Sequence, residues 1–498
     1  MRAMISGMLL AALPTTAPAA WREARSEHFT IYSEDDGKQL AEYADKLERF
    51  DSALRRLTKI DDRSISPSNR VTIFVVRNTS AVRKLLGGDN AWVAGFYRPR
   101  AANSLVVTPS LRFADSVGHG DLDPMIVLLH EYTHHFLLEN AAAAYPAWYS
   151  EGFAEFASTA QFDADGAVGL GLPAQHRARA LARPQFLSMA AMLADDKRKL
   201  NNSERSTLYA MGWLLTHYLI VSDARKGQLN RYLTAINDGT PRPEAATAAF
   251  GDLKALDRDV DRYARRKLDY FRVPSAMLSV GKVDVRDLSP AAAAVLPLRM
   301  RLKAGVLPAE GAEFASLARA AAAPFPNDPD AQLLLADAEA MAGNLDACDA
   351  AIARALATQP NSTEGLLARA RSMMRRRDDK GAQADWPGIR AAIGRANRVE
   401  PDHPVPLMLF YDSFAAAKQK APRLAVDGLE RAFEIAPQDP ALRMRLARQL
   451  AVDRRFDEAR VVLAPLAYAP HAGPIGEAAL RMLDQLPDPA AAPPIGGD

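Results

Sequence analysis

Prolines at positions 326, 360, 401 and 437 punctuate the second half of the chain at intervals of 34, 41 and 36 residues. Similar residues precede three of them. Ile352-Ala353-Arg354-Ala355 stands before Pro360, Ile393-Gly394-Arg395-Ala396 before Pro401, and Leu429-Glu430-Arg431-Ala432 before Pro437. Each block ends four residues short of its proline. An Ala- and Leu-rich repeat of this length folds as a pair of helices that cannot bury a core alone. Copies must stack into a solenoid with a concave face. Residues 291–486 are therefore expected to be an all-α stack, with the 41-residue interval marking an insertion around Asp378 to Gly388. The first half has no such period. His28–Ser33, Val71–Val76, Trp92–Tyr97 and Ser104–Thr108 alternate as strands do, the last two joined by a polar turn over Arg98–Asn103. Lys38–Leu57 has helical spacing, and helical patterns run on from Pro124 to Phe271. Residues 272–290 break the periodicity and are expected to join the two halves. The Pro-, Ala- and Gly-rich tail, 487–498, is expected to be disordered.

At 498 residues the chain exceeds one ordinary domain. Lys plus Arg (62) nearly balances Asp plus Glu (60), a formal charge of +2, so nothing global draws it to nucleic acid or an anionic membrane. The run Arg375-Arg376-Arg377 is followed at once by Asp378-Asp379 and reads as a solvated loop. The single cysteine, Cys348, excludes an internal disulfide and a Cys-rich metal site; its Ala-rich helical setting reads as a small core position. Residues 1–19 have the pattern of a secretory signal peptide: Arg2, an apolar run from Met4 to Leu13, and small residues at Ala17-Pro18-Ala19. That run is about half of what spans a bilayer. The expectation is an extracytoplasmic chain, periplasmic or secreted, starting near Ala20 or Trp21, with no stable membrane insertion and no nucleic-acid partner.

The chemistry concentrates in one stretch. Pro124–Asn140 reads as a helix, with Asp123 as its cap and Pro124 in the first turn. On it lies His130-Glu131-Tyr132-Thr133-His134. Residues four apart share a helix face, so the two imidazoles can hold one Zn²⁺ and Glu131 can reach a water bound to it. The flanks are apolar, from Met125 to Leu129 and from Phe136 to Leu138. Polar groups in such a helix are costly unless something engages them, and a metal does so. Pro146 opens a second helix, running to about Thr159, with Glu151 placed 16 residues beyond His134. A short turn folds this helix beside the first and brings Glu151 to the metal. Two His and one Glu leave a fourth position open, as a catalytic zinc site requires. Glu155, one turn further, can accept the free ring N–H of a ligand histidine. Gly152 lets the backbone approach closely.

HExxH followed by Trp148-Tyr-Ser-Glu151-Gly152-Phe-Ala-Glu155 resembles the gluzincin metallopeptidases, the thermolysin-like class, and within them the peptidase-MA-like group. The segment EGFAE is similar to aminopeptidase N-type enzymes. The resemblance covers roughly Trp21 to Phe271 and implies an α+β metallopeptidase domain over 20–271. It implies one Zn²⁺ per chain held by His130, His134 and Glu151, with Glu131 as general base and Glu155 behind the ligands. Thr207-Leu-Tyr209-Ala-Met-Gly212 resembles the Tyr-x-x-Gly of the aminopeptidases, which makes Tyr209 the candidate oxyanion donor. His217 on the same helix is the other candidate, and His135 points off the ligand face. The aminopeptidases grip a free amine with an acidic segment ahead of the metal helix. Here that place holds Ser104-Leu-Val-Val-Thr-Pro-Ser110, with no acidic anchor, so an endopeptidase pairing this strand with its substrate is the better expectation.

In the second half, Pro329–Pro360 resembles a tetratricopeptide repeat, with Leu335-Ala336, Gly343 at the mid-turn, Cys348 at a small position, then Ile352, Ala355 and Pro360. The expected whole is a zinc peptidase acting on a peptide or protein substrate, with a repeat domain that binds a protein partner. An interaction scaffold with an inactive peptidase-like domain, other zinc hydrolase chemistry and another divalent metal remain open.

Overall fold

Apolar residues at every second position build the first sheet, and helices cover both of its faces. The computed structural model describes residues 21–87, 93–110, 123–140, 144–181, 187–194, 201–380, 385–469 and 473–487, save for the side chains of 377–380. The expected signal peptide, Trp92, part of the insertion and nearly all of the tail lie outside the described residues. In chain order the first half runs β1 (Arg22–Arg25), β2 (Phe29–Ser33), α1 (Gly37–Thr58), β3 (Val71–Val76), α2 (Thr79–Leu86), β4 (Phe96–Arg98) and β5 (Leu105–Pro109). Then come α3 (Pro124–Glu139), α4 (Ala147–Ser158), β6 (Gln161–Phe162), β7 (Val168–Leu170), α5 (Ala178–Leu181), α6 (Met189–Ala194) and α7 (Asn202–Val221). It closes with α8 (Gln228–Asn237), α9 (Arg242–Phe250), α10 (Leu253–Ala264), β8 (Phe271–Val273) and β9 (Asp284–Asp287).

Six strands form a mixed sheet in the order β4-β5-β3-β2-β1-β9, and β6-β7-β8 form a small second one. β3 lies parallel to β2 and to β5, while β4 is antiparallel to β5. On one face Phe29, Ile31, Ile73, Val75 and Val106 join the core under α1 and α3. On the other, Phe74, Val76, Phe96, Leu105 and Val107 pack against Val82 of α2. Four expectations change here. Residues 272–290 are not a bare connector: β8 pairs with β7, and β9 pairs antiparallel with β1 from Arg22↔Asp287 to Arg25↔Asp284. The helical run from Pro124 to Phe271 is interrupted by the β6–β7 hairpin. Arg98, expected in a turn, ends a strand. And β5, expected to receive substrate, is internal, with both its edges taken by β3 and β4. The edge strand on that side of the sheet is β4, with β9 at the other edge.

The second half is a stack of helix pairs: α11 (Pro290–Ala304) with α12 (Gly311–Ala322), α13 (Pro329–Met341) with α14 (Leu345–Thr358), and α15 (Thr363–Lys380) with α16 (Trp386–Val399). Then follow α17 (Pro404–Ala416) with α18 (Arg423–Ile435), α19 (Pro440–Val452) with α20 (Phe456–Ala467), and α21 (Gly473–Gln485). A local signature starts four of the leading helices. Ser289, Asp328, His403 and Asp439 each cap a helix whose first residue is proline, accepting a backbone N–H of the first turn. The cap satisfies an orphan donor, and proline there has no N–H to satisfy. Cys348 is buried among Ile352, Ala336 and Leu366, as its setting suggested. The basic run is a correction: Arg375 to Arg377 lie on α15, not in a loop.

The two halves are docked. Leu296, Met300 and Ala304 of α11 complete the core on the second face of the sheet. Glu400 accepts from Ser66 Oγ at 2.8 Å and Ser68 N at 3.0 Å, and Gln438 Nε2 donates to Arg100 O at 3.1 Å. Among the described residues, no helix is long and apolar enough to cross a membrane.

α4 and α7 cross with their backbones in close approach. A Cβ on Gly152 would stand 2.3 Å from Gly212 O, and one on Gly212 would stand 2.5 Å from Trp148 O. The obstacle is backbone in each case, so neither helix can yield by turning a side chain. Gly152→Ala is expected to cost about 1–3 kcal/mol, the range for overpacking a tight core. The thermal melting midpoint checks this; an unchanged midpoint contradicts the crossing.

Candidate metal centre

α3 begins where the chain can cap it: Asp123 accepts from Met125 N at 2.7 Å, with Pro124 in the first turn. Its back faces the core. Tyr132, Phe136 and Leu137 are buried there, and Tyr132 donates to Asp51 of α1 at 2.5 Å. A helix rotated to bury these residues turns His130, Glu131 and His134 to the opposite side. The return to α4 is held by Asn237, which accepts from Ala144 N at 2.7 Å and donates to Ala144 O at 3.0 Å. Pro146 sets the start of α4.

This arrangement brings three expected ligands together. His130 Nε2 and His134 Nε2 are 3.2 Å apart, and Glu151 Oε2 lies 3.5 Å from the first and 3.6 Å from the second. Three corners of a tetrahedron around a zinc with about 2.0–2.1 Å bonds are separated by about 3.4 Å. The triangle fits that template, and the donor set of two imidazoles and one carboxylate is a zinc-type set. His130, His134 and Glu151 form one of two groups of metal-ligand type found among the described residues. The local field also favours a cation. Burial pulls His130 down, but bonds to Glu151 and Glu155 outweigh it and push the imidazole up to about 10.

The second group, His28 with Asp51 and Asp62, fits a metal poorly. Arg55 already supplies its positive charge, with Nε 2.7 Å from Asp51, and His28 Nδ1 bonds Glu48 at 2.8 Å.

Glu155 sits behind the ligands. Its Oε1 is 3.4 Å from His130 Nδ1. Two residues that no sequence pattern singled out hold it in place. His176 Nε2 is 2.7 Å from Oε2, and Arg177 grips both oxygens, with Nε 2.9 Å from Oε2 and Nη2 bonded to Oε1. Burial opposes the charge, yet these three partners hold the carboxyl well below the usual range. Arg177 also lies over the Tyr209 ring, 5.2 Å from its centroid. No spacing rule links positions 176 and 177 to Glu155. They arrive in the short turn before α5, and only the tertiary fold brings them in.

Tyr209 stands beside the triangle, its ring 6.2 Å from that of His130. Burial raises its phenol, and the charges of Glu151 and Glu131 raise it further, so it remains a proton donor at neutral pH. The two other histidines considered from sequence are engaged elsewhere. His217 bonds Tyr263 at 2.9 Å and Gly171 O at 2.8 Å inside the core. His135 bonds the Tyr97 hydroxyl at 2.9 Å, and burial takes it down to about 3, so it is neutral. Glu131 is part-exposed on the open side of α3. A Cβ on Gly95 would stand 3.8 Å from its Cγ and 2.5 Å from Val127 Cγ1. Gly95, immediately before β4, therefore lets the edge strand run close to Glu131; it was not anticipated from the sequence.

A family model described as a protein of unknown function (DUF1570) matches residues 126–241. That span contains His130, Glu131, His134, Glu151, Glu155, His176, Arg177 and Tyr209. No curated protein matches the chain.

Glu155→Gln keeps the shape but removes the charge that orients His130. It is expected to weaken zinc binding by about 10–100-fold, the usual cost of losing an outer partner of a ligand. Competition with a chromophoric chelator reads this directly, and unaltered affinity would remove Glu155 from the site.

Proposed function

We propose that the chain is a zinc-dependent peptidase, most simply an endopeptidase. The observation that carries this reading is the triangle of His130 Nε2, His134 Nε2 and Glu151 Oε2, with edges of 3.2, 3.5 and 3.6 Å. These three residues would hold the ion, and bound zinc supplies Lewis acidity to a carbonyl and lowers the pKa of water. The rest is work for this chain's own side chains. Glu131, next to the first ligand, takes the proton from the attacking water and returns it to the leaving amine. Tyr209 donates its hydroxyl proton as a hydrogen bond to the oxygen that gains charge. Glu155, held by His176 and Arg177, keeps His130 in one tautomer and one orientation.

The position of β4 supports a peptide substrate. It is an edge of the sheet, and among the described residues only β5 pairs with it. An extended peptide can add to such an edge through backbone hydrogen bonds. Gly95 starts that edge against Glu131. The absence of an acidic anchor in Ser104–Ser110 favours cleavage within a chain over removal of terminal residues. The helical stack, which we read as tetratricopeptide-like, would bind a protein partner or the substrate. Zinc, the peptidase activity and an extracytoplasmic location form one coherent reading.

Glu131→Gln is the decisive variant. Digestion of an unfolded protein substrate should fall by at least about 10²-fold, the contribution of a positioned general base, with zinc content unchanged. Unchanged digestion would contradict the mechanism, and an inactive parent with full zinc would favour a binding role. Tyr209→Phe should lower kcat by about 10²–10³-fold with little change in KM, as loss of an oxyanion donor does. A fall confined to KM would make Tyr209 a binding residue.

A further inference from the structure

The basic residues on α15 acquire a setting that a solvated loop would not give them. Arg371 and Arg375 are one turn apart on one face of α15, and Glu364 is two turns before Arg371 on the same face. Asp337 of α13 and Arg299 and Lys303 of α11 face the same space. From the first half, the end of β4 adds Arg98 and the turn that follows it adds Arg100. Arg100 donates to Lys303 O, and a Cβ on Gly305 would stand 3.2 Å from Arg98 Nη1. The leading helices α11, α13 and α15 pack side by side, with the end of the sheet against them. These elements bring the charges together on one surface between the stack and the sheet edge, hereafter the groove.

Its charges are poorly neutralised. Arg299 is paired with Asp330 at 3.0 Å. Among the described residues, Arg98, Lys303, Arg371 and Arg375 make no side-chain hydrogen bond and no ion pair, and Arg100 Nε is buried with no partner. Among carboxylates, Asp337 and Glu364 act on Lys303 and Arg371, and Asp439 acts on Arg100. Six cations thus face four carboxylates, one of them committed to Arg299. Protein crowds these groups: burial holds Lys303, Arg371 and Arg100 all below their ordinary ranges, and the nearby carboxylates do not restore them. Yet the side chains are not sealed in. Asp337, Glu364, Arg371 and Arg375 are exposed. Charged groups that are enclosed, reachable and unpaired lose little more solvation when a ligand arrives and gain a partner.

We propose that this groove binds an extended polypeptide segment rich in acidic side chains. Arginine forks match carboxylates in shape as well as in charge. Asp337 and Glu364 can accept N–H groups from the incoming backbone, which a small anion would not offer. Neighbouring helices lie about 8–10 Å apart, so three of them span about 20 Å, or about six extended residues. Arg98 stands three residues along the edge strand from Gly95, about 10 Å by strand rise. The groove therefore opens at the same sheet edge as the metal centre. The proposal does not depend on hydrolysis and is tested without it.

The test uses the full chain carrying Glu131→Gln, so that no probe can be cut by the proposed mechanism. Fluorescence anisotropy at about 0.1 M salt, where exposed charges are screened beyond about 10 Å, compares labelled decaglutamate, decalysine and a Gly-Ser peptide of equal length. Decaglutamate should bind, and the other two should not. Adding Arg371→Glu with Arg375→Glu should weaken it by at least about tenfold, as reversing two interfacial charges does. The milder pair Arg371→Gln with Arg375→Gln should weaken it too, should the first variant melt early. Arg262→Glu with Arg265→Glu, the same charge change at the exposed C-terminal end of α10, should leave binding unchanged. No binding of decaglutamate, equal binding of decalysine, or equal loss in the α10 variant would each overturn the proposal.

Discussion

Everything at the candidate metal centre hangs on two glycines. Gly152 and Gly212 let the backbones of α4 and α7 touch, with no side chain between them. Glu151 precedes Gly152, and Tyr209 lies one turn before Gly212, so the contact brings these two residues together. The phenol then lies in the field of the Glu151 carboxylate, and the same approach keeps the ring near His130. A single methyl group at either glycine would have to part the helices. The effect would reach Glu151 and Tyr209 together.

α3 is fixed from behind by a different kind of contact. Its ligand side carries His130, Glu131 and His134, while its other side enters a buried polar network. Tyr132 bonds Asp51, Asp51 bonds Arg55, and His28 joins Glu48 and Asp62. His135 and Glu139 complete it from α3 itself. Burial pushes Glu139 up to about 7. Burial alone would lower His28, but its bond to Glu48 and the charge of Asp51 raise it to about 9. Such a network is directional, unlike apolar packing: a turn of α3 by one position would break the Tyr132–Asp51 bond. It sets the rotation of the helix, and so the direction in which both imidazoles point.

Much of this was legible from spacing. Histidines four apart must share a face, and a carboxylate on a returning helix can meet them, so His130, His134 and Glu151 could be named before any fold was known. Gly152 within Glu151-Gly-Phe-Ala-Glu155 hinted at a close approach but not at its partner. Strands β2, β3 and β5 announce themselves by β-branched and aromatic residues. β9 does not, because Asp284-Val-Arg-Asp287 is a polar edge strand held to β1 by backbone bonds, with little apolar patterning to read. This is why residues 272–290 looked like a linker. His176 and Arg177 were invisible for another reason. They reach Glu155 across a hairpin, and nothing local distinguishes them from any other exposed basic pair. The run Arg375-Arg376-Arg377 misled because charge was weighed without helical phase. Once on α15, Arg375 turns toward the groove while Arg376 pairs with Asp346 and Asp349.

The measurement that bears most directly on this account is the metal content of the purified protein by elemental analysis, parent beside His134→Ala. The account predicts about one zinc per chain in the parent, as a three-ligand site would hold, and its loss in the variant. No zinc in the parent after reconstitution, or equal zinc in both, would contradict it.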